Sequence, residues 1–238
     1  MRKDVLLGVS VYNEAGRVKP WLEHWTGLVD DIVIIDQDSA DGTLTEIKEF
    51  IAGYTGECNV DLFRAPTLGM CEPVFNAISP MAAQAGKWML KLDVDEWLSA
   101  AELDKLMAIA MRAFKEHQVT TVITPRVNLV DGVNVARARA TETDPEGLDY
   151  QIRLSRDNAL VFSYNPHTYP AVRGKWVIAR DVAIEHRRTF SQVVEANIKR
   201  SRFLPQATVD AQMGFINRVA AILGLSDEDV AGEVKKHG

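Results

Sequence analysis

Cysteine is scarce in this chain: 238 residues contain two, Cys58 and Cys71. So low a count excludes a disulfide-stapled scaffold, and the pair lacks zinc-site spacing. Both read as small buried hydrophobes. Long apolar runs are missing as well. No stretch reaches the roughly 18 residues needed to cross a bilayer. The opening Met1-Arg2-Lys3-Asp4-Val5-Leu6-Leu7 is too short, and too quickly polar, for a signal peptide. The expectation is a cytoplasmic protein, with peripheral contact at the inner face of a membrane left open. Basic residues are not in excess: 27 Lys and Arg stand against 33 Asp and Glu, a net charge of −6. That argues against nucleic acid as a partner, since such proteins carry a basic footprint. Neither G-x-G-x-x-G nor G-x-x-x-x-G-K-[ST] occurs, so both common glycine cradles for a nucleotide phosphate are absent. No linker-like segment or internal repeat separates two domains.

What is present begins with an ordinary globular composition, 47% hydrophobic and 25% charged. The chain is organised around Lys91-Leu92-Asp93-Val94-Asp95-Glu96-Trp97, which follows the apolar Trp88-Met89-Leu90. An extended chain over 87–94 puts Asp93 and Asp95 on one side, because strand side chains alternate. Two carboxylates about 4 Å apart repel by roughly 4 kcal/mol at an effective dielectric near 20. Exposure to water relieves that repulsion, and so does a cation. A hard divalent ion takes carboxylate oxygens and keeps positions open for phosphate. The plain alternative is a turn signal, with acidic residues capping the next helix.

Taken in order, 5–11 reads as a short buried strand ending in Tyr12-Asn13-Glu14-Ala15-Gly16. Val18, Trp21, Leu22, Trp25 and Leu28 follow at helical spacing. Ile32 to Asp36 is the clearest parallel-strand run, followed by the polar loop Gln37-Asp38-Ser39-Ala40-Asp41-Gly42 and a helix over 43–51. A strand at 60–63, a helix at 72–84 and the strand 87–94 complete a series that argues for a doubly wound α/β sheet. Ligands in such sheets bind beyond the carboxyl ends of the strands. Three polar or acidic strand ends, at 12–14, 36–41 and 93–96, converge on that edge.

Further on, 100–116 predicts a helix and 119–127 a strand, with a turn at Asp131-Gly132. The stretch 136–147 reads as a loop, either a ligand cover or a solvated excursion. Strands are expected at 150–154, 160–164 and 176–184, a helix at 189–203, and helical spacing from Met213 to Ile222. That last apolar face would cap the core or pair with a second subunit, a homodimer. The end, 226–238, is polar and expected to fray.

Several side chains carry potential chemistry. Asp36 and Asp38 could accept hydrogen bonds from a base N–H or a ribose hydroxyl, or simply shape an Asx turn. His186 could ligate a metal or bond a phosphate, and His167 sits in a loop that could face the crevice. Arg153 could clamp a phosphate, or pair with Glu142, Asp144 or Asp157.

Three motifs in this order resemble a known family. Val9-Ser10-Val11-Tyr12-Asn13-Glu14, then Asp31 to Asp36 with Gln37-Asp38-Ser39-Ala40-Asp41-Gly42-Thr43, then Leu92-Asp93-Val94-Asp95-Glu96-Trp97, are similar to family 2 glycosyltransferases. The nearer likeness is to small bacterial members that add sugars to lipopolysaccharide or other surface glycans. It is close over 5–99 and looser beyond, where Tyr150 to Leu154, His167 and Ile184-Glu185-His186 look like later landmarks.

The resemblance implies a GT-A fold: a Rossmann-like, mostly parallel sheet flanked by helices, with a smaller mixed acceptor-side region. It implies one domain over 1–238, with a nucleotide-sugar half (1–99), an acceptor-side half (100–204) and a helical tail (205–238). The implied activity is inverting transfer from a nucleotide-diphosphate sugar, foremost a UDP sugar, to a hydroxyl of a glycan or lipid-linked acceptor. Val11, Tyr12, Asn13, Glu14, Asp36 and Asp38 would hold base and ribose, with Arg153 toward the phosphates. Asp93 would lie near ribose or metal, Asp95 would be the firmer ligand of Mn²⁺ or Mg²⁺, and His186 would add a ligand. The base that takes the acceptor proton is sought among His167, Glu142, Asp144 and Glu185. Relatives often carry Arg-Asn where this chain has Phe75-Asn76, Thr where it has Ala40, and a Glu-Asp pair that this chain does not have in the usual position after the acidic strand. Two other functions fit less well: a catalytically silent nucleotide-sugar-binding protein, and a metal-dependent nucleotidyltransferase, whose glycine-rich basic first loop is missing.

Overall fold

The computed structural model describes residues 2–66, 72–139, 149–162, 170–201 and 206–237. In chain order come β1 (Arg2–Val11), α1 (Val18–Trp25), β2 (Val29–Asp36), α2 (Thr43–Gly53), β3 (Asn59–Arg64), α3 (Phe75–Gln84), β4 (Trp88–Lys91), β5 (Glu96–Trp97) and α4 (Ala100–His117). Then follow β6 (Val119–Val130), β7 (Val133–Asn134), β8 (Asp149–Ser155), β9 (Leu160–Val161), β10 (Ala171–Val172), β11 (Lys175–Ile178) and β12 (Ile184–Arg188). Three helices close the chain: α5 (Phe190–Ser201), α6 (Gln206–Leu223) and α7 (Asp227–His237). The sheet is mixed and mostly parallel, of Rossmann-like GT-A type, with helices beside it and a smaller C-terminal region.

The chain divides into two compact units, Met1–Thr124 with Tyr150–Val182, and Pro125–Asp149 with Ala183–Gly238. In the first, the strand order is β3-β2-β1-β4-β8-β6. β1 pairs in parallel with β2 and β4, and β2 with β3, while β4 and β8 run antiparallel. From Val5 to Val11, β1 is buried without a break, which is why its sequence is continuously apolar rather than alternating. Gly8 lies beneath α3: a Cβ there would come within 3.1 Å of the Ile78 side chain. α3 supplies Phe75, Ile78 and Ala82 to a core cluster with Leu6, Val33, Ile35 and Met89. α4 starts with a capping box, Ser99 Oγ accepting the Glu102 N–H while the Glu102 carboxylate accepts the Ser99 N–H.

In the second unit, the carboxyl half of β6 pairs with β12 in parallel and turns back through Asp131-Gly132 into β7. α5, α6 and α7 pack together around Val194, Ile216, Val219 and Val230. The tail therefore does not fray from Ser226 onward as its polarity suggested. Ser226 caps α7 through Asp229, whose carboxyl those hydrogen bonds hold below the usual range, and Val230 with Val234 seats the helix.

Other expectations also need correcting. The strand expected over 87–94 stops at Lys91, and that expected over 176–184 is two strands, β11 and β12. There the chain turns at 180–181 after Ala179 N–H bonds the Ile123 carbonyl. Of 160–164, only Leu160–Val161 is strand among the described residues.

Candidate functional site

Adjacent parallel strands lie about 4.8 Å apart, so the carboxyl ends of β2 and β4, on either side of β1, are spaced by roughly 10 Å. The β1 and β2 ends are in register, Val11 opposite Asp36. The loops that leave them are clasped together by short side chains. Asn13 N–H donates to Ser39 Oγ at 3.0 Å, and Ala40 N–H donates to Asn13 Oδ1 at 2.9 Å. Glu14 N–H donates to Thr43 Oγ1 at 2.7 Å, and Ala15 N–H to Asp41 Oδ2 at 3.2 Å. Asn13 and Asp38 both adopt left-handed backbone, φ 57° and 55°, which asparagine and aspartate tolerate best among non-glycine residues. Gly42, at φ 101°, does so with no Cβ to strain and starts α2. Burial opposes ionisation of Asp41, but hydrogen bonds from Thr43 and the Ala15 N–H outweigh it and hold the carboxyl below its ordinary range.

Within this frame, Asp36 is completely buried. Its Oδ2 accepts the Ser39 N–H at 3.3 Å and lies 3.7 Å from Arg64 Nε, whereas its buried Oδ1 has no hydrogen-bond partner among the described residues. β2 ends at Asp36, so Asp38 does not continue the strand alternation. It sits in the loop, half-exposed, paired with Arg64 at 2.9 Å. Val11 is buried, while Tyr12 presents an exposed ring beside this edge.

The acidic stretch follows β4 as a turn. Leu92 N–H bonds the Gly8 carbonyl at 3.2 Å, and Glu96 N–H closes back on the Asp93 carbonyl at 2.9 Å. Burial still alternates: Leu92, Val94 and Glu96 are inside, and Asp93 and Asp95 are partly exposed. Turn geometry, not strand continuation, thus puts the two aspartates toward solvent. Glu96 is fully buried; one carboxylate oxygen accepts the Asp93 N–H at 3.1 Å and the other takes the Arg153 guanidinium. Arg153, also buried, places Nη2 3.4 Å from Asp93 Oδ2.

Sequence reasoning missed Glu96, treating it as part of a turn string. It also missed Lys91, a buried cation at the end of β4 with Nζ 4.9 Å from the centre of the Phe75 ring. That contact uses the residue noted as a departure from Arg-Asn, and Asn76 bonds the Phe162 backbone through both side-chain atoms at 2.8 Å. The only advance signal for Lys91 was a charge inside an otherwise apolar strand. Trp97 packs its ring 5.0 Å from His24, and Trp88 is core.

His186 is buried on β12, in register with Asn128, whose Oδ1 lies 2.7 Å from Nδ1. An amide oxygen there places the proton of a neutral ring on Nδ1, making Nε2 the acceptor nitrogen. Glu185, beside it, pairs with Arg187 at 2.5 Å. His167, Glu142 and Asp144 lie outside the described residues. Arg126, a cation not singled out earlier, pairs with Asp149 in the second unit.

Among the described residues, no group of three or more His, Cys, Asp or Glu side chains is arranged to hold a metal ion. The donor chemistry of Asp93 and Asp95 fits a different kind of site. Mg²⁺ and Mn²⁺ are commonly held by one or two carboxylates, the other positions going to water and substrate phosphates. A hollow of about 440 Å³ lies at the opposite end of β1, lined by Arg2, Asp4, Gly27, Leu103 and Asp104. Three of its charges are paired with one another, Arg2 with Asp4 at 3.1 Å and with Asp104 at 2.5 Å.

No family model matches the sequence, and no curated protein matches it. Solved structures do. S. aureus TarS 1–349 in complex with UDP superposes with a TM-score of 0.53 at 15% identity, covering 92% of this chain and 72% of that one. The likeness is one of fold. The longer S. aureus TarS structure gives 0.51 at 15% identity over 92% of this chain, which spans only 44% of it. The mannosyltransferase PcManGT from Pyrobaculum calidifontis, in complex with GDP-Man and Mn²⁺, gives 0.48 at 14% identity, over 99% of this chain and 79% of that one. No helix among the described residues is long and apolar enough to cross a membrane.

Proposed function

We propose that the protein is an inverting glycosyltransferase that moves a sugar from a nucleotide-diphosphate sugar, foremost a UDP sugar, to a hydroxyl of a glycan or lipid-linked acceptor. The observation that carries this reading is the buried Asp36 carboxylate at the sheet's carboxyl edge, one oxygen of which has no hydrogen-bond partner among the described residues. A buried carboxylate oxygen left unbonded is costly, and a base N–H or a ribose hydroxyl would satisfy it. TarS, to which the chain is similar in fold, was solved in complex with UDP, and a nucleotide-sugar donor is in keeping with that likeness.

On this reading Tyr12 stacks on the base, and the loop clasp through Asn13 and Glu14 keeps Asp36 and Tyr12 in place. Asp93 and Asp95 would hold Mn²⁺ or Mg²⁺ through their carboxylates, and His186 would be a further candidate ligand. A metal held there would supply positive charge against which a departing diphosphate is stabilised. The acceptor hydroxyl also needs a base within hydrogen-bond reach. His167, Glu142, Asp144 and Glu185 remain the candidates for it, Glu185 after release from Arg187. Surface-glycan synthesis, lipopolysaccharide included, suits this donor and acceptor chemistry, at the inner face of a membrane.

Calorimetry with UDP and Mn²⁺ tests the binding half. Asp36→Asn and Asp95→Ala are each expected to weaken nucleotide binding at least tenfold, the value of one hydrogen bond to a charged group, while thermal melting stays near wild type. Unchanged affinity in both variants would refute the site. Turnover of UDP sugars against an acceptor panel tests the other half. Nucleotide binding without any acceptor-dependent release of UDP would favour the catalytically silent protein.

A further inference from the structure

Arg153 and Glu96 are both almost wholly buried, yet they stand beside a half-exposed pair of aspartates. Burying a charge pair is costly, and the cost is offset only where the geometry is tight and the remaining polar atoms are bonded. Glu96 meets that condition in a particular way. One of its oxygens holds the Arg153 guanidinium, and the other holds the backbone N–H of Asp93 at 3.1 Å. A single carboxylate thus fixes both the turn that carries Asp93 and the cation that faces it. Nη2 of Arg153, anchored there, is left 3.4 Å from Asp93 Oδ2. That nitrogen stands where it partly neutralises the acidic turn.

We propose that Arg153 is the resident counter-ion of the Asp93–Asp95 turn, held in place by Glu96, and that it tunes how strongly the turn takes a divalent cation. The proposal deepens the donor-site reading above and rests on it. A guanidinium beside Asp93 competes with a bare cation for that carboxylate, and it attracts the diphosphate that accompanies a cation in a metal–nucleotide complex. The turn therefore takes Mn²⁺ alone weakly and Mn²⁺ with UDP more strongly. Arg153 and Glu96 are positioning residues here; the carboxylates that meet the metal are Asp93 and Asp95.

Two variants move Mn²⁺ affinity in opposite directions, which a merely structural role would not do. In Glu96→Gln the guanidinium loses its ionised partner and turns fully to Asp93, so Mn²⁺ binding is expected to weaken about tenfold. In Glu96→Gln/Arg153→Gln both buried charges are gone and the guanidinium no longer faces Asp93, so Mn²⁺ alone is expected to bind about tenfold tighter than in wild type. Both changes lie within the usual range of coupling between neighbouring sites. Should the double variant fail to fold, Arg153→Lys serves instead. Its single ammonium stays with Glu96 and is expected to tighten Mn²⁺ binding by a smaller factor. The readout is electron paramagnetic resonance of free Mn²⁺ during titration, with circular dichroism to confirm the fold. Shifts of the same sign in both variants, or none in either, overturn the counter-ion, as does a wild-type protein that takes up no Mn²⁺. Opposed Mn²⁺ shifts in a protein that binds no UDP or GDP would uphold the counter-ion and sink the donor-site reading instead.

Discussion

Asn13 illustrates how much a single side chain does at the sheet's carboxyl edge. Its backbone is left-handed, its N–H goes to Ser39 and its Oδ1 takes the Ala40 N–H, so one residue joins two loops. Asn13→Ala removes the amide and strains the left-handed backbone, and is expected to cost about 1–2 kcal/mol. Asn13→Gly restores the backbone freedom and should recover part of that loss. Urea denaturation of the three proteins measures the split, and equal destabilisation by Ala and Gly would remove the backbone share. The tyrosine and the aspartates around this clasp were readable from their motifs. The clasp itself was not, because Asn13 and Ser39 are 26 residues apart and only the parallel pairing of β1 with β2 brings them together.

At the scale of elements, α4 was among the most legible, since its apolar spacing and the Ser99–Glu102 capping box are both local. Ser99→Ala is expected to cost about 1 kcal/mol. A fall in Tm beyond the error of the melt, with unchanged nucleotide affinity, checks it; an unchanged Tm would mean that water replaces the cap without loss. The acidic turn was less legible. Alternation placed Asp93 and Asp95 on one side, and the exposure pattern agrees, yet β4 stops at Lys91. The chain turns there because Glu96 folds its carboxylate back onto the Asp93 N–H, a contact that periodicity does not encode. α7 makes the same point in the other direction: a polar tail became a helix because Val230 and Val234 found a core.

For the whole molecule, Asp31 and Asp41 are two of the carboxylates that tie stability to acid pH. Burial raises Asp31, but hydrogen bonds from Lys87 and Asn59 outweigh it and hold the carboxyl below its ordinary range; Asp41 is lowered in the same way by Thr43 and Ala15. A carboxyl depressed in the folded state contributes stability that is present above its unfolded pKa, about 4. That contribution is lost as pH falls through the lower folded value. Stability to urea is therefore expected to decline between pH 5 and pH 3, and Asp41→Asn should flatten the decline. A slope that Asp41→Asn leaves untouched would show that other carboxylates set it. Cys58 takes no part at neutral pH, since burial pushes its thiol up to about 12.

Apart from the short β5, the order of strands and helices through α4 was settled by local pattern, because an apolar run or a helical stripe is written within a few turns of chain. The same holds for the polar loops that follow the buried strands at the carboxyl edge. Tertiary structure alone decided which charges meet. Arg153 was read beside Glu142, Asp144 or Asp157, and it found Glu96 and Asp93 because β8 lies antiparallel to β4. His186 found Asn128 across β6 and β12. Ion pairs and hydrogen bonds act over a few ångströms in space, and strand order, not distance along the chain, determines which side chains come that close.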